Sequence, residues 1–447
     1  MKTGASIEKA LEDIGWGPYQ TSLFINTTNA WSICQFWLMA MSILMSDYQG
    51  LDSFQKSMMP VSLNLGTIIG CYFFSYVSDA LGRKAAFQYS ILVTASSALL
   101  LAFSPGYYSV LSCLVALGIG VGGDFAVPGT VLSEFIPPSK SKALTVMNVA
   151  WSIGGSICIL LAIILEITWD LSISKWRALV AAGAVMSFVL WFMRLETLES
   201  PKYLQIRNED PAEVLKEVAR RNGKPYFEFN GPLMDDYEEG DITEMSRKSS
   251  SFSALFSVEM FLTTVLLTLQ FVMVGFANTG FILFMPQLLP INSTLSSYGI
   301  ILVQQICGMP AMLLAAYLAD TKLGRRWTGA VSLLMATLCI YPFLSSSSVF
   351  FLFSFSSLVS CFMMMGVAVL YTIPQELFPS HLKGIGAGYL MGVARMIAML
   401  TPVLANFLFS LGGSFLCLNV FAFVFAVSGT ISFIHAETRP IKKYHIS

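Results

Sequence analysis

Charged residues are scarce in this chain: Asp, Glu, Lys and Arg make up 12% of the 447 residues, while hydrophobic residues make up 55%. A water-soluble protein of this length needs more charge to cover its surface. The scarcity therefore excludes an ordinary soluble protein and leaves a lipid bilayer as the surroundings of most apolar surface. The mean hydropathy of +0.67 agrees with that conclusion.

Sequence features that would indicate several other protein classes are also missing. The chain has no G-x-x-x-x-G-K-[ST] motif and no second soluble domain to hold one, so we do not expect an enzyme or an ATP-driven pump. The eight cysteines all fall in apolar stretches, with neither a disulfide framework nor a metal-binding spacing. The polar start MKTGASIEKALEDIGWG predicts no cleavable signal peptide. We expect no cofactor, no metal and no nucleic-acid partner.

What the sequence does contain is a series of apolar stretches long enough to cross a bilayer. A spanning helix needs about 20 mainly apolar residues. The stretches are continuously apolar, which favours helices over a barrel of alternating strands. The sequence therefore predicts an all-α membrane protein with 12 transmembrane helices. These centre on residues 22–45, 57–78, 86–104, 107–135, 144–168, 177–195, 259–286, 297–319, 328–346, 349–377, 386–411 and 415–434.

The distribution of basic residues predicts the orientation of these helices. An even number of spans places both termini on the same side of the membrane. If that side is the cytoplasm, 22 of the 26 Lys and Arg residues lie in cytoplasmic segments, in agreement with the positive-inside rule. We therefore expect both termini to be cytoplasmic, in the plasma membrane or in an internal membrane. The four exceptions are Lys56, Lys175, Arg177 and Arg395.

A long polar segment between the sixth and seventh spans divides the chain. We expect an N-terminal six-helix bundle over 1–195, a cytoplasmic linker over 196–252, and a C-terminal six-helix bundle with a short cytoplasmic tail over 253–447. Within the linker, EDPAEVLKEVARRNGK predicts a short amphipathic helix that starts at Asp210 as N-cap and stops at Gly223. The acidic stretch DDYEEGDITE that follows predicts a flexible, solvated segment.

The two halves repeat the same polar signals at a constant spacing. Arg83 and Arg325 are 242 residues apart, and Glu134 and Glu376 are separated by the same 242 residues. Each arginine follows the second span of its half, and each glutamate ends the fourth. Internal repeats with a site near the middle of the membrane between them are the architecture of secondary transporters. We therefore expect the two bundles to be related by pseudo-symmetry.

Short motifs at the ends of the spans carry a family resemblance. The loops read DALGRK at 79–84, DTKLGRR at 320–326 and LESPKYL at 198–204, and two spans contain GIGVGGD at 118–124 and LYTIPQELFP at 370–379. In these motifs the chain resembles the major facilitator superfamily over essentially its full length. Within its sugar-porter-like branch, the chain is most similar to the synaptic-vesicle-2-related proteins, the niacin transporters and the organic ion transporters.

The resemblance implies a function as well as a fold. It implies a secondary active or facilitative transporter that moves a small organic solute across the membrane by alternating access and works as a monomer. Two alternatives remain open: a non-transporting receptor or sensor on the same scaffold, and a sugar transporter. The chain departs from relatives in span one, where Cys34 and Trp37 stand in place of acidic residues.

Charged residues at the cytoplasmic helix ends are the first group of site candidates. The resemblance implies that acidic and basic groups there pair across the two halves and close the cytoplasmic side. Each exposed pair contributes only about 0–1 kcal/mol, but several together can shift a two-state equilibrium. The simpler alternative is that these residues only anchor helix ends. The predicted gate residues are Asp79, Arg83, Glu134, Glu199, Asp320, Arg325 and Glu376.

Two charges inside the predicted spans form the second group. Asp124 precedes Glu134 by ten residues and Arg395 lies about ten residues into span eleven, so each is roughly 15 Å from the cytoplasmic end. Charges at that depth are costly and face a cavity or a partner. We expect both in the central cavity. There the permanent charge of Arg395 would suit a carboxylate, sulfate or phosphate, so the prediction leans towards an organic anion as substrate.

Three roles are open for Asp124. It can titrate and couple the entry of protons to transport, or it can bind a polar or cationic part of the substrate. It can also pair statically with a helix dipole, a hydroxyl group or Arg395. A similar GIGIGGD stretch in phosphate–proton symporters favours, by resemblance, a functional role.

Polar side chains elsewhere in the spans are weaker candidates for contact with substrate. Each is the kind of residue that more often joins two helices through a hydrogen bond. Aromatic residues such as Trp31, Phe125 and Trp151 could stack on a ring of the substrate, with packing as the simpler role. The polar candidates are Gln35, Asn278, Gln304 and Tyr371.

Overall fold

In the computed structural model, the described part of the chain consists of helices joined by turns and short connecting segments. The predicted acidic stretch that follows the linker helix lies outside the described residues. The structure describes residues 7–48, 50–168, 174–207, 209–227, 252–258, 260–288, 294–345, 348–378 and 382–434.

The first half of the chain forms helices that run alternately up and down. A short amphipathic helix precedes the first long one and packs against both Pro138–Lys140 and the polar segment that follows the first half. The helices are α1 (Ile7–Ile14), α2 (Pro18–Asp47), α3 (Ser53–Leu81), α4 (Arg83–Ala102), α5 (Tyr107–Phe135), α6 (Lys142–Val146), α7 (Val149–Thr168) and α8 (Lys175–Arg194).

The connecting segment and the second half complete the chain. Asp210 accepts a hydrogen bond from the backbone N–H of Ala212 at 2.8 Å, and Gly223 follows the helix with a φ of +76°. The helices are α9 (Pro201–Ile206), α10 (Ala212–Arg221), α11 (Phe261–Leu288), α12 (Thr294–Asp320), α13 (Gly324–Ser345), α14 (Val349–Leu377) and α15 (Lys383–Ser432).

Eleven helical segments among the described residues are long and apolar enough to cross a membrane. The first predicted span, 22–45, lies within α2, which is 30 residues long but more polar and is not one of the eleven. The helix α15 supplies two spans, Lys383–Gly413 and Phe415–Ser432. They are separated because Gly413 has a φ of +64°, a conformation that glycine adopts without a Cβ clash.

The two halves use the same packing scheme. In the first half α5 packs against α3 and α4, α2 against α7, and α4 against α8. In the second half α14 packs against α12 and α13, and α15 packs against α11 and α13. We call the end of the bundle where α3 gives way to α4 and α8 leads into the connecting segment the linker end. The repeat in the motifs is therefore also a repeat in three dimensions.

The contact between the halves at the linker end is unusually close. Gly384, Gly388 and the glycine four residues further on share one face of α15, because residues four apart in a helix are neighbours. A Cβ on Gly388 would lie 1.9 Å from Oγ of Ser75, and a Cβ on Gly384 would lie 2.6 Å from Oδ1 of Asp79. The backbone of α15 therefore rests directly on the side chains of Ser75 and Asp79 in α3, with no side chain of α15 between them.

A methyl group at Gly388 should separate the two halves at the linker end. Overpacking of this kind costs about 1–3 kcal/mol, which corresponds to a population shift of roughly fivefold or more. Cys71 lies on α3 at the same contact and is fully buried. We therefore expect Gly388→Ala to raise the rate at which N-ethylmaleimide labels Cys71, measured by mass spectrometry of the labelled peptide.

Two further variants make this experiment specific. A Cβ at Gly299 would meet no atom within 4 Å, so Gly299→Ala should leave the labelling rate of Cys71 unchanged. The additional replacement Ser75→Gly should slow labelling in Gly388→Ala, because it removes the side chain that the new methyl group meets. Equal labelling of Cys71 in the native protein and Gly388→Ala would contradict the close contact.

Candidate functional site

Arg83 is the centre of a buried charge cluster at the linker end of the first half. Its guanidinium lies 2.9 Å from Oδ1 of Asp79 and 3.2 Å from Oε2 of Glu134. Nη1 also donates to the carbonyl of Ser78 at 2.8 Å. Charge-assisted hydrogen bonds of this kind compensate the burial of the cation. The cluster fastens the ends of α3, α4 and α5 to one another.

Glu199 reaches the same corner from the connecting segment. Its Oε1 accepts hydrogen bonds from the backbone N–H of Arg83 at 2.8 Å and of Ser200 at 2.9 Å. The backbone N–H of Lys84 donates to Oε2 at 3.3 Å. A Cβ on Gly82 would lie 2.3 Å from Oε2, so only glycine fits before the helix. Burial raises the pKa of Glu199 although these donors stabilise its charged form.

The second half repeats this arrangement with one difference. Arg325, near the start of α13, pairs with Glu376 at the end of α14 and lies 3.9 Å from Oδ1 of Asp320. The side chain of Asp79 is 4% exposed, whereas that of Asp320 is 37% exposed. The two acidic groups that end α3 and α12 thus occupy equivalent positions but have different surroundings.

Polar groups also join the two halves at the linker end. Oδ2 of Asp79 accepts a hydrogen bond from the backbone N–H of Ile385 at 3.2 Å, in the first turn of α15. Nδ2 of Asn148 donates to the carbonyl of Ala368 at 3.2 Å. The ion pairs described above each lie within one half, and the pairing of these cations and carboxylates across the halves stays a prediction. Asp79 does contact the other half, but there it meets the N-terminus of α15.

Asp124 lies in the interior of the first half and not beside Arg395. Its Oδ1 is 2.6 Å from Nη1 of Arg194, the last residue of α8, and accepts a hydrogen bond from Ser90 at 2.8 Å. Oγ1 of Thr94 donates to Oδ2 at 3.5 Å. The side chains of Asp124 and Arg194 are 0% and 1% exposed. The prediction that Asp124 faces a central cavity together with Arg395 is therefore wrong for Asp124.

The direction of each side chain around α5 explains this error. Counting residues gives the height of Asp124 along the helix, but consecutive residues point about 100° apart. It is the next residue, Phe125, that faces Arg395, whose guanidinium lies 4.4 Å from the ring centre. Arg194 looks from sequence like a cytoplasmic charge at the end of a span. Its long side chain instead extends back into the bundle. The sequence offers only one indication of this, which is that a single cation stands at the end of the apolar run 177–195.

Arg395 is a buried charge between the two halves. It lies on α15 about 18 Å from the start of that helix and is 8% exposed. Its guanidinium also lies 5.7 Å from the ring of Trp151, and Nη2 donates to the hydroxyl of Tyr371 at 3.5 Å. Among the described residues no carboxylate pairs with it. Tyr371 is thus the predicted polar candidate that the structure brings to Arg395.

Aromatic rings from both halves surround this guanidinium. The ring of Trp151 lies 5.3 Å from Phe125, 5.6 Å from Tyr371 and 6.5 Å from Trp31. We call these four rings and Arg395 the central cluster. Nε of Arg395 and the indole N–H groups of both tryptophans have no acceptor in the described part of the chain. The cluster therefore combines a cation, flat apolar walls and unused hydrogen-bond donors.

The remaining polar candidates do not join the central cluster through hydrogen bonds to Arg395. Gln35 is buried within α2. Oδ1 of Asn278, on α11, and Nε2 of Gln304, on α12, are buried without a hydrogen-bond partner among the described residues. For the aromatic residues the sequence leaves both stacking on a substrate and packing open, with packing as the simpler role, because a ring inside an apolar helix carries no signal of its own.

Comparisons with known proteins agree with this architecture. The family model described as Major Facilitator Superfamily matches residues 22–402. Organic cation/carnitine transporter 7 of Arabidopsis thaliana is 27% identical over 90% of this chain and 88% of its own length. Synaptic vesicle 2-related protein of Xenopus laevis is 25% identical over 90% of this chain and 75% of its own. A niacin transporter of Acinetobacter baylyi is 24% identical over 76% of each chain.

A solved structure has the same fold. The proton:xylose symporter XylE, bound to 6-bromo-6-deoxy-D-glucose, aligns with a TM-score of 0.75 over 94% of this chain and 97% of that one, at 14% identity. So low an identity carries the fold and not the substrate. The resemblance found in the motifs is confirmed.

Neutralising Asp124 should destabilise the protein, because Arg194 would become an uncompensated buried charge. Breaking such a pair costs about 3–5 kcal/mol. We expect Asp124→Asn to lower the melting temperature of the purified protein clearly. As a control, Glu217→Gln removes the carboxylate of an ion pair at the surface with Arg220, and it should change the melting temperature little.

A double variant distinguishes the ion pair from a general effect at this position. Asp124→Asn with Arg194→Gln leaves two neutral groups that can hydrogen-bond, so it should recover much of the melting temperature lost in Asp124→Asn. If the two losses simply add, or if Asp124→Asn melts like the native protein, the pair does not stabilise the fold.

Proposed function

We propose a substrate class and a transport cycle for this chain on the premise that it belongs to the major facilitator superfamily. The chain is a multi-pass integral membrane protein and a transporter of small solutes. We propose in addition that the solute is a small organic anion, that it binds beside Arg395, and that the two halves open alternately to either side.

The proposed topology has 12 spans, with α2 added to the eleven apolar segments. Two six-helix bundles over 1–195 and 253–447 are joined by a linker over 196–252. The bias of basic residues supports placing the linker end and both termini on the cytoplasmic side. The proposed working unit is a monomer, since the central cluster draws residues from both halves of one chain.

The surroundings of Arg395 carry the proposal of an anionic solute. A guanidinium stays charged at any ordinary pH, and a buried charge without a counter-charge is costly. Asp124 does not supply that counter-charge, because Arg194 engages it. A carboxylate, sulfate or phosphate of the solute could accept two parallel hydrogen bonds from Arg395. The rings of Phe125 and Trp151 would then contact the apolar part of the solute.

The contacts at the linker end suggest how the cycle proceeds. Pairs within a half, such as Arg83 with Glu134, would stay intact and keep each half rigid. Contacts between the halves would break, among them Asp79 with the N–H of Ile385 and the glycine face of α15 on α3. The cytoplasmic gate in this proposal therefore depends on Asp79 and on the packing of the glycine face of α15 against α3.

Replacing Arg395 should remove the counter-charge of the solute. Truncating one partner of a buried charge pair weakens binding by about 2–5 kcal/mol, or roughly 30-fold or more. We expect Arg395→Gln to reduce the uptake of labelled carboxylates into proteoliposomes to that extent, with Arg395→Lys intermediate. Lys175→Gln, which breaks a half-exposed pair with Glu166, should keep native uptake.

Other outcomes of that screen would favour the alternative functions. Saturable uptake of neutral sugars with no competition by carboxylates would favour a sugar transporter. If Arg395→Gln carries carboxylates at the native rate, the anionic proposal is wrong. Binding of a partner by a chain that transports none of the tested solutes would favour a receptor or sensor.

If Asp124 couples protons to transport, Arg194 must take part, because protonation of Asp124 leaves the Arg194 cation without a counter-charge inside the bundle. The double variant Asp124→Asn with Arg194→Gln tests this route in a protein without a lone charge. If Asp124 couples protons, uptake by the double variant should lose its dependence on external pH. A double variant that retains both rate and pH dependence would restrict Asp124 to a structural role.

A further inference from the structure

Arg395 contacts two aromatic rings across the boundary between the halves. It belongs to α15 in the second half, whereas Phe125 lies on α5 and Trp151 on α7 in the first half. Its guanidinium carbon lies 4.4 Å from the ring centre of Phe125 and 5.7 Å from that of Trp151. At these distances a cation is attracted to the negative face of an aromatic ring. The two contacts therefore join the halves inside the bundle.

The guanidinium of Arg395 has little else to compensate its charge in the described part of the chain. No carboxylate there pairs with it, and its Nε has no acceptor. Nη2 donates to the hydroxyl of Tyr371 at 3.5 Å, which is long for a hydrogen bond. Asp124 immediately precedes Phe125 on α5, but its carboxylate is engaged by Arg194 at 2.6 Å. Since a buried cation without a counter-charge is costly, the ring faces are the main attraction available to this guanidinium among the described residues.

The contact between Arg395 and the two rings is buried and closely packed. Phe125 is 1% exposed, and Trp151 and Arg395 are each 8% exposed. A desolvated cation–π contact is stronger than an exposed one, because water does not screen the cation. The rings of Phe125 and Trp151 lie 5.3 Å apart with 31° between their planes, so each restricts the movement of the other. Two fixed ring faces of the first half thus determine where the guanidinium of the second half lies.

An anion bound to Arg395 would compete with these ring faces for the same positive charge. The attraction of a guanidinium to a ring face is electrostatic and depends on the charge that the ring experiences. A carboxylate paired with the guanidinium makes the pair neutral, and the negative ring face repels the carboxylate itself. The contact between Arg395 and the rings of the first half is therefore strongest when no anion is bound.

We propose that Phe125 and Trp151 hold Arg395 while the carrier is unloaded, and that the anionic group of the solute releases it. This inference rests on the anionic solute proposed above. The held guanidinium joins the two halves, so the unloaded carrier changes conformation slowly, and the loaded carrier changes faster because that contact is weakened. Phe125 and Trp151 are thus positioning residues that act through Arg395. They favour the exchange of one anion for another over net movement in one direction.

The first test weakens the ring face at position 125 without removing the ring. The full-length chain is prepared with phenylalanine carrying no, one, two or three fluorine atoms there, because fluorine withdraws electron density from the face and changes the size of the ring little. The probe is whichever of acetate, butyrate and benzoate binds the purified native protein most tightly at neutral pH. We expect its dissociation constant, measured by isothermal titration calorimetry, to fall stepwise by about 10-fold over the series. The uncharged amide of the same acid should show no such trend.

The second test measures the movement of the unloaded carrier in proteoliposomes. Labelled probe acid should enter vesicles that contain the unlabelled acid about fivefold faster or more than it enters empty vesicles, because empty carriers return slowly. Phe125→Leu removes the ring face and should bring the two rates close together, whereas Phe125→Tyr keeps a negative face and should preserve the difference. The fluorinated chains should lie between these two variants, in the order of their fluorine content.

Phe271 is the matched control for both tests. It is 1% exposed and its ring centre lies 5.2 Å from that of Tyr371, but within the described residues no cation lies over its ring. The same fluorine series at Phe271 should change neither the affinity nor the ratio of the two rates. If the probe acid binds native protein but not Arg395→Gln, and the series at Phe125 is nevertheless flat, this inference is wrong and the anionic solute stands. If none of the three acids binds the native protein, both are wrong.

Discussion

The ion pair between Asp124 and Arg194 is the interaction on which the rest of the first half depends. In a bundle surrounded by lipid, neither charge can be left alone, because the cost of an uncompensated buried ion exceeds that of most packing defects. The pair draws the end of α8 against α4 and α5 and so sets the relative depth of three helices. The pair also engages Asp124, which is the one carboxylate that the sequence places at the same depth in the membrane as Arg395. Arg395 is therefore left without a carboxylate partner among the described residues.

The same motif ends the second span in each half, and at the linker end it produces two ion-paired clusters that differ in their contact with the other half. Arg83 with Glu134 and Arg325 with Glu376 fasten helices inside a half. The acidic residue that precedes each arginine differs, since Asp79 is enclosed by the N-terminus of α15 whereas Asp320 is partly open. A symmetric set of ion-paired corners thus supports an asymmetric contact between the halves.

Much of the architecture could be predicted from the sequence, because it depends only on the order of residues along the chain. The apolar runs, the 242-residue spacing and the break near Gly413 depend on the order of residues, and each has its counterpart in the helices. The site was harder, because direction around a helix and the reach of long side chains depend on neighbours that are distant in sequence. Asp124 and Phe125 are adjacent, yet one faces α8 and the other Arg395.

The bare glycine face of α15 against α3 has a consequence for how the linker-end contact responds to its surroundings. The atoms that meet this glycine face are the hydroxyl of Ser75, the carbonyl of Cys71 and the carboxylate of Asp79. The part made with Ser75 and Cys71 is uncharged and gains its stability from close approach, so its strength should be the same in dilute and concentrated salt. Asp79, which lies beside Gly384 and accepts a hydrogen bond from the N–H of Ile385, gives this contact its electrostatic part. The contact between the two halves at this end therefore combines one part that is insensitive to the ionic composition of the compartment it faces with one part, at Asp79, that responds to it.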